Sequence, residues 1–491
     1  MQKFTKKYIG YMTTLMSFGA LFFSFYIYTS FIDDDGNLMY DGALLISFIA
    51  FIVVLVIMYI YNVLFYKCSG YELTDEYIML KKGVVFKKKK MLRYDKINAV
   101  DVKQNIIGRF FNVKALSLDS GSTTKAHQPE VVIYESKERI DYLEKLVKAK
   151  MNNCEVEVES FEETKIENKG SIYNFTTKRK LLFTLFPTLV VVMFLFLMLS
   201  TLLVFFKVGL MGDETFGFID ALVVFSGLIV LVSLCSIVFG YIGTLLTYYD
   251  FRVYKENGYI TVEHGLLSRV KNTLYLNKIK AVKIEEGLVK RMFGYLTVKL
   301  EVVGFGVTSS DEQKQQTGNN LLLPVCKKSE VNTYLNLLLE DFEYKDIEYK
   351  CESGAFKYFN YLPDMILTII FISLIIPLWI TFGFKVVMIG IILYVISILF
   401  VLVVSKLRYH NAGVSFSEKS VYIHRGVFNK NQIIIPNKNI IGINTFYTNK
   451  RYKDGLLNIK VHYFNNAIKN TETIFLTNKD MVNKINDVIK Y

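Results

Sequence analysis

Residues 71–102 read YELTDEYIMLKKGVVFKKKKMLRYDKINAVDV, and the order returns twice: FRVYKENGYITVEHGLLSRVKNTLYLNKIKAVKI over 251–284 and AGVSFSEKSVYIHRGVFNKNQIIIPNKNIIGI over 412–443. Aligned on one glycine, the three share a frame. Gly83, Gly265 and Gly426 are followed 14 residues later by Ile97, Ile279 and Ile440, and 25 or 26 residues later by Arg109, Arg291 and Arg451. Self-similarity of this kind marks one structural unit used several times. Within each copy, β-branched or alternating runs are split by turn residues, as in Tyr77-Ile-Met-Leu followed by Gly83-Val-Val-Phe, which is the pattern of antiparallel hairpins. The glycine is expected at the turn, where a positive φ carries no steric cost for it.

Every copy closes on an apolar stripe with helical spacing. Ile140, Leu143, Leu146 and Val147 form the first, Val331, Tyr334, Leu335 and Leu338 the second, and Val482, Ile485, Val488 and Ile489 the third. Ser136, Ser329 and Asn478 stand just upstream as expected N-caps. Several antiparallel strands closed by one C-terminal amphipathic helix have the outline of a PH-like α+β barrel.

Between these polar modules lie uncharged runs over 8–32, 42–66, 181–206, 221–249, 365–384 and 386–405. A bilayer core takes about 20 apolar helical residues, so six transmembrane helices are expected, arranged as three hairpins. The whole chain of 491 residues agrees: 52% hydrophobic, 21% charged, with a mean hydropathy of +0.30. That balance excludes disordered, collagenous and disulfide-stapled classes. The expected order is hairpin 1 over 8–66, module 1 over 67–152, an acidic linker over 153–180, hairpin 2 over 181–249 and module 2 over 250–341. A second linker over 342–357, hairpin 3 over 358–405 and module 3 over 406–491 complete it.

Net charge is +13, yet the three short connectors carry −4, −2 and +1, so the remaining chain carries +18. Lys and Arg favour cytoplasmic loops, which places both termini and all three modules in the cytoplasm. The first apolar run is too long for a cleaved secretory leader and is read as a retained helix. Five widely spaced cysteines with no paired motif fit reduced thiols in that compartment.

Chemistry-bearing patterns are scarce. His127, His264, His410, His424 and His462 stand in no metal or nucleophile spacing, and phosphate-loop, dinucleotide and nucleophile-elbow motifs are absent. The expectation is a non-enzyme with no catalytic residue, no cofactor and no metal. His264 and His424, beside the repeat glycines, are expected as exposed hairpin residues. Asp364, after Pro363 at the start of the fifth span, fits a helix N-terminus better than an ion pathway. The strongest polar feature is Lys87-Lys88-Lys89-Lys90, with Lys81 and Lys82 across the turn and Arg93 beyond. From Lys67 to Asp119 there are twelve basic and six acidic residues, directly below the second span. Such segments gain on the order of 1 kcal/mol per cation beside an anionic leaflet, so inner-leaflet lipid is the candidate partner and nucleic acid is not. Solvated edge lysines that block strand pairing are the competing account.

The two-span hairpin followed by Tyr71-Glu-Leu-Thr, Gly83, Asp95-Lys-Ile and Arg109 with Phe111 resembles the second family of bacterial PH-like domains. Three such units resemble the YdbT-like membrane proteins of that family. The resemblance covers nearly the whole chain. It implies a bacterial membrane protein acting as a scaffold or protective factor against membrane-active peptides such as bacteriocins, beside a smaller one-module partner. A transporter or peptide exporter is the main alternative, and a lipid-modifying enzyme a further one.

Overall fold

The computed structural model describes residues 1–32, 42–120, 130–151, 171–181, 183, 238–256, 258–302, 321–359, 366, 368, 371, 384–463 and 471–478. The three connectors before Phe384, most of spans three to five, Asp364, the acidic stretch up to 170 and the stripe of the third module lie outside the described residues. The chain forms two compact units, Met1–Asn174 with Leu246–Tyr275, and Phe175–Leu245 with Leu276–Tyr491. Their boundary cuts the second module in two.

In the first unit, α1 (Lys7–Thr29) and α2 (Ala43–Cys68) pair as the first hairpin. Both are long and apolar enough to cross a bilayer. Asn62, buried between them, donates to Thr13 Oγ1 at 3.1 Å, and Ser24 Oγ donates to the Ser47 carbonyl at 2.7 Å. Lone polar side chains of this kind link helices that have no hydrophobic reason to associate in lipid. There follow β1 (Gly70–Leu73), β2 (Tyr77–Lys82), β3 (Lys88–Arg93), β4 (Ala99–Gln104), α3 (Ile106–Phe110), β5 (Val113–Asp119), β6 (Val131–Ser136), α4 (Lys137–Met151) and β7 (Tyr173–Asn174). After α5 (Val238–Thr247) come β8 (Arg252–Glu256), β9 (Tyr259–His264) and β10 (Arg269–Tyr275).

The second unit runs β11 (Ile279–Glu286), α6 (Leu288–Met292), β12 (Tyr295–Val302), β13 (Leu321–Lys327), α7 (Val331–Leu338), β14 (Tyr349–Lys350) and α8 (Phe384–Asn411). It ends with β15 (Gly413–Phe416), β16 (Ser420–Arg425), β17 (Lys430–Pro436), β18 (Gly442–Phe446), α9 (Asn449–Lys453), β19 (Leu456–His462) and β20 (Thr471–Asn478).

Each module thus makes two three-stranded meanders joined by a one-turn 3-10 helix, after which Ile97, Ile279 or Ile440 starts the second meander. Ile97 and Ile279 are buried, and Ile440 packs on the core of module 3. Side chains of α4 seal module 1, with Ile140, Leu143 and Val147 all buried, each contributing about 1.5–3 kcal/mol. Helix α7 buries Val331, Leu335 and Leu338 in the same way. Its N-cap is Glu330 rather than Ser329, with no side-chain cap bond.

The sheet order departs from three independent barrels. One sheet is β1-β2-β3, and the next is β6-β5-β4-β10-β9-β8-β7, so the second meander of module 1 is continued by the first meander of module 2. The second unit repeats this as β13-β12-β11-β17-β16-β15-β14, with β18-β19-β20 a separate sheet among the described residues. No closed barrel is found among the described residues. Of the edges that a barrel would seal on itself, those of β4, β10, β11 and β17 are hydrogen-bonded to the neighbouring module instead, which satisfies the same backbone groups.

A second departure concerns the linkers. Each first meander pairs with chain well upstream of it: Gln2 bridges Tyr71, β7 pairs with β8 through Tyr173 and Val253, and β14 pairs with β15 through Tyr349 and Val414. Tyr71, Val253 and Val414 stand twelve residues ahead of Gly83, Gly265 and Gly426 respectively. Part of each expected linker, Tyr173–Asn174 and Tyr349–Lys350, therefore belongs to a module sheet.

Candidate membrane-facing surface

Strands β2 and β3 pair antiparallel with Lys81 opposite Lys89, Lys82 opposite Lys88 and Leu80 opposite Lys90. Directly opposed like charges are destabilising in a sheet, so this hairpin holds an electrostatic cost that an external anion would relieve. The Lys82 ammonium is held below its usual range by partial burial first, and then by Lys90 and Lys88. Lys87 sits in the turn, exposed. Arg93 points elsewhere: its Nε donates to Asp95 Oδ1 at 3.1 Å.

The turn itself differs from the expected strand. Gly83-Val-Val-Phe is not the start of the second strand but the loop, and β3 begins only at Lys88. The repeat glycines have φ of 113°, 109° and 128°. A Cβ at any of them would collide with a carbonyl oxygen three residues on, that of Phe86, Ser268 or Asn429. The tight loop then pushes the intervening side chains outward: Val85 and Phe86 are 81% and 82% exposed. Leu266, Leu267 and Phe428 are exposed at the matching tips. In each copy a basic residue, Lys87, Arg269 or Lys430, stands four residues after the glycine. The recurring pattern is an apolar wedge with a cation behind it, the composition of a segment that seats at a lipid interface.

Position supports that reading. Gly265 and Leu266 donate their backbone N–H groups to the carbonyls of Tyr249 and Leu246, both at 2.8 Å, where α5 ends. In module 3, Asn411 Nδ2, at the last residue of α8, donates to the carbonyls of Gly426 and Val427 at 3.3 and 3.0 Å. The Phe428 ring stacks on Phe400 of α8 with centroids 6.4 Å apart. The tips of modules 2 and 3 are therefore tied to the ends of the apolar helices that precede them.

Arg109, Arg291 and Arg451 lie on the one-turn helices α3, α6 and α9, which link the first and second strands of each second meander. Arg451 stacks over the Tyr358 ring at 5.3 Å. Exposed apolar side chains accompany these helices too, namely Ile106, Phe110, Met292 and Phe293. A further repeat position escaped the sequence reading: Asn112, Gly294 and Gly455, each 29 residues after its repeat glycine, all have positive φ and close the short helix. Only the Asn in the first copy hid the pattern.

His264 is buried rather than exposed. Its Nδ1 lies 2.9 Å from the Thr247 carbonyl and its ring stacks with Phe251, and burial lowers its pKa. His424 is also shielded; burial pushes it down to about 4, against the pull of Asp346. Both histidines tie their hairpins to neighbouring groups, His264 to the Thr247 carbonyl and His424 through Nε2 to Ser415 Oγ at 3.3 Å. Among the described residues, no group of three His, Cys, Asp or Glu converges as a metal site, and Cys68, Cys326 and Cys351 are free thiols.

A family model for the bacterial PH domain matches the chain three times, over residues 23–151, 183–341 and 363–485. The chain belongs to the bacterial PH domain family. The three matches fall on the three repeats, and each begins upstream of its first meander. The chain is also similar to the transmembrane protein YdbT of Bacillus subtilis (strain 168), with 23% identity over 327 residues. That match covers 64% of this chain and 64% of the length of the relative. Together with α1 and α2, the likeness identifies a membrane protein with repeated bacterial PH domains.

Proposed function

We propose that this protein is a non-enzymatic, multi-pass protein of the bacterial cytoplasmic membrane, with six spans in three hairpins and both termini in the cytoplasm. Its PH modules rest their hairpin tips on the anionic inner leaflet. In this reading the array is a scaffold or protective factor in resistance to membrane-active peptides, acting with a smaller partner of the same family. The observation that carries the leaflet contact is the thrice-repeated tip: Val85-Phe86, Leu266-Leu267 and Val427-Phe428, each backed by a cation and, in modules 2 and 3, bonded to the end of an apolar helix. In module 1 the opposed lysines of β2 and β3 add the charge that an anionic surface would balance. The resistance role rests on the family resemblance.

Two measurements test it. Cysteine labelling of intact cells should modify Asp35→Cys from outside and leave Gly121→Cys unlabelled; the reverse overturns the topology. Deleting the gene should raise sensitivity to at least one of a panel of circular and leaderless bacteriocins. Unchanged sensitivity across the panel, with the partner gene expressed, removes the protective role and leaves the leaflet contact to be judged separately.

A further inference from the structure

Two seams join modules within this chain, and they use one register. In the first, β10 lies antiparallel to β4 with Arg269 opposite Gln104 and Thr273 opposite Val100. In the second, β17 lies antiparallel to β11 with Lys430 opposite Glu286 and Ile434 opposite Val282. Counted from the repeat glycines, position 4 meets position 21 of the preceding module and position 8 meets position 17, in both seams. The same two kinds of edge, in the same alignment, come together each time both are offered.

Among the described residues, one edge of each kind is left over. Strand β3 of module 1, the counterpart of β10 and β17, ends the sheet β1-β2-β3. Strand β18 of module 3, the counterpart of β4 and β11, ends the sheet β18-β19-β20. Exposure follows from this. Met91, at position 8 of module 1, is 56% exposed, whereas Thr273 and Ile434 at that position are 3% and 0% exposed. At position 19, Val102 and Ile284 are buried, and Thr445 is exposed. Strand β18 carries no charge of its own, and Thr445 and Phe446 on it are exposed, so it has none of the charged side chains that commonly block strand addition.

From these matched ends we infer that β18 receives β3 of a second copy of this chain, so that copies join head to tail in the register of the internal seams. Met91 then faces Ile443, and Lys89 faces Thr445. The lysines of β3 do not bar this pairing. Position 6 is also lysine in β10, where Lys271 sits inside the first seam with Nζ 2.8 Å from Glu144 Oε1 of the preceding module. Position 4 is basic in all three copies. Because the two surfaces differ, the contact is heterologous and builds rings or rows rather than two-fold dimers. It goes beyond the lipid contact proposed above and does not depend on it.

The test uses the full chain, with its five cysteines changed to serine, in membranes from cells expressing two differently tagged copies. One copy carries Lys89→Cys and the other Thr445→Cys, both at exposed sites. Mild oxidation should link the two tags, and should link them far less when Asn444→Cys replaces Thr445→Cys. Reversing the charges gives an independent readout: Thr445→Lys should weaken association of the copies by roughly threefold, and Lys89→Glu in the same chain should restore it. Linkage of Lys89→Cys to itself, linkage of Thr445→Cys to a different protein, or no linkage in a correctly inserted chain each overturns the inference.

Discussion

Lys271 of β10 places its ammonium 2.8 Å from the carboxylate of Glu144, which lies buried on α4 and also receives Lys148 at 2.5 Å. The terminal helix of module 1 is thereby clamped to the first meander of module 2. Burial alone would raise the Glu144 pKa, but the two ammoniums outweigh it and hold the carboxyl below its usual range. Replacing it by Glu144→Gln leaves two cations facing each other in a shielded seam, and truncating one partner of such a group costs about 3 kcal/mol. A clear fall in the thermal midpoint of the purified protein in detergent is expected, with Lys271→Met recovering part of it. The depressed carboxyl also fixes the sign with pH. Its contribution is present above the ordinary glutamate range and disappears as acid titrates the folded form.

The repeat glycines should behave as one position in three places. Ala at Gly83, Gly265 or Gly426 meets both a φ above 100° and a carbonyl oxygen within collision distance. Each substitution should cost at least about 1 kcal/mol, read as a lowered unfolding midpoint or as new protease cleavage at the hairpin. Gly354→Ala, where a Cβ meets nothing within 4 Å, serves as the neutral comparison.

Asp101 sits in the same seam as Lys271, opposite Asn272 and almost wholly buried. Burial pushes its carboxyl up to about 7, Lys103 pulls it down, and Asp119 pushes it further up. An unfolded aspartate titrates near 4, so the stability of the protonated form is complete below about pH 4 and is lost as pH rises through about 7. Asp101→Asn removes that loss. Unfolding midpoints of the natural chain and the variant should diverge by the equivalent of a few kcal/mol between pH 4 and pH 8. Parallel curves would show that the carboxylate is accommodated in its charged form.

Much of the architecture was readable because it is local. The interval from Gly83 to Ile97 to Arg109 encodes a turn, a sheet crossing and a short helix, each fixed by neighbours in sequence, and it recurs intact. The stripe Ile140, Leu143, Val147 likewise declares its own helix. The seams were not readable. That Thr273 faces Val100, or Ile434 faces Val282, is decided by a strand more than 150 residues away, and both strands would look equally suited to a self-closed barrel. Burial on both faces erased the alternation that marks a half-exposed strand, as in Ala99–Gln104, whose first four residues are all buried. The wedge was misread for a related reason. Val84, Val85 and Phe86 have strand-forming side chains, and only the tight turn demanded by Gly83 puts them in the loop.

That loop gives the most direct reading of where module 1 sits. Phe86 is among the most exposed apolar side chains, so Phe86→Trp should fold normally, and the chain's other tryptophan, Trp379, can be changed to Phe to leave one reporter. If the tip seats in the headgroup region, its emission should shift to the blue in liposomes and be quenched by lipids brominated near the headgroup, more strongly with anionic lipid than with zwitterionic lipid alone. Changing Lys87, Lys88 and Lys89 together to Gln should remove that preference while leaving the apolar contact. The electrostatic part scales with about 1 kcal/mol per cation and fades with salt, whereas the burial of one aromatic ring does not. Emission characteristic of water in both lipids would place the tip in the cytosol and leave the opposed lysines without a role at the lipid surface.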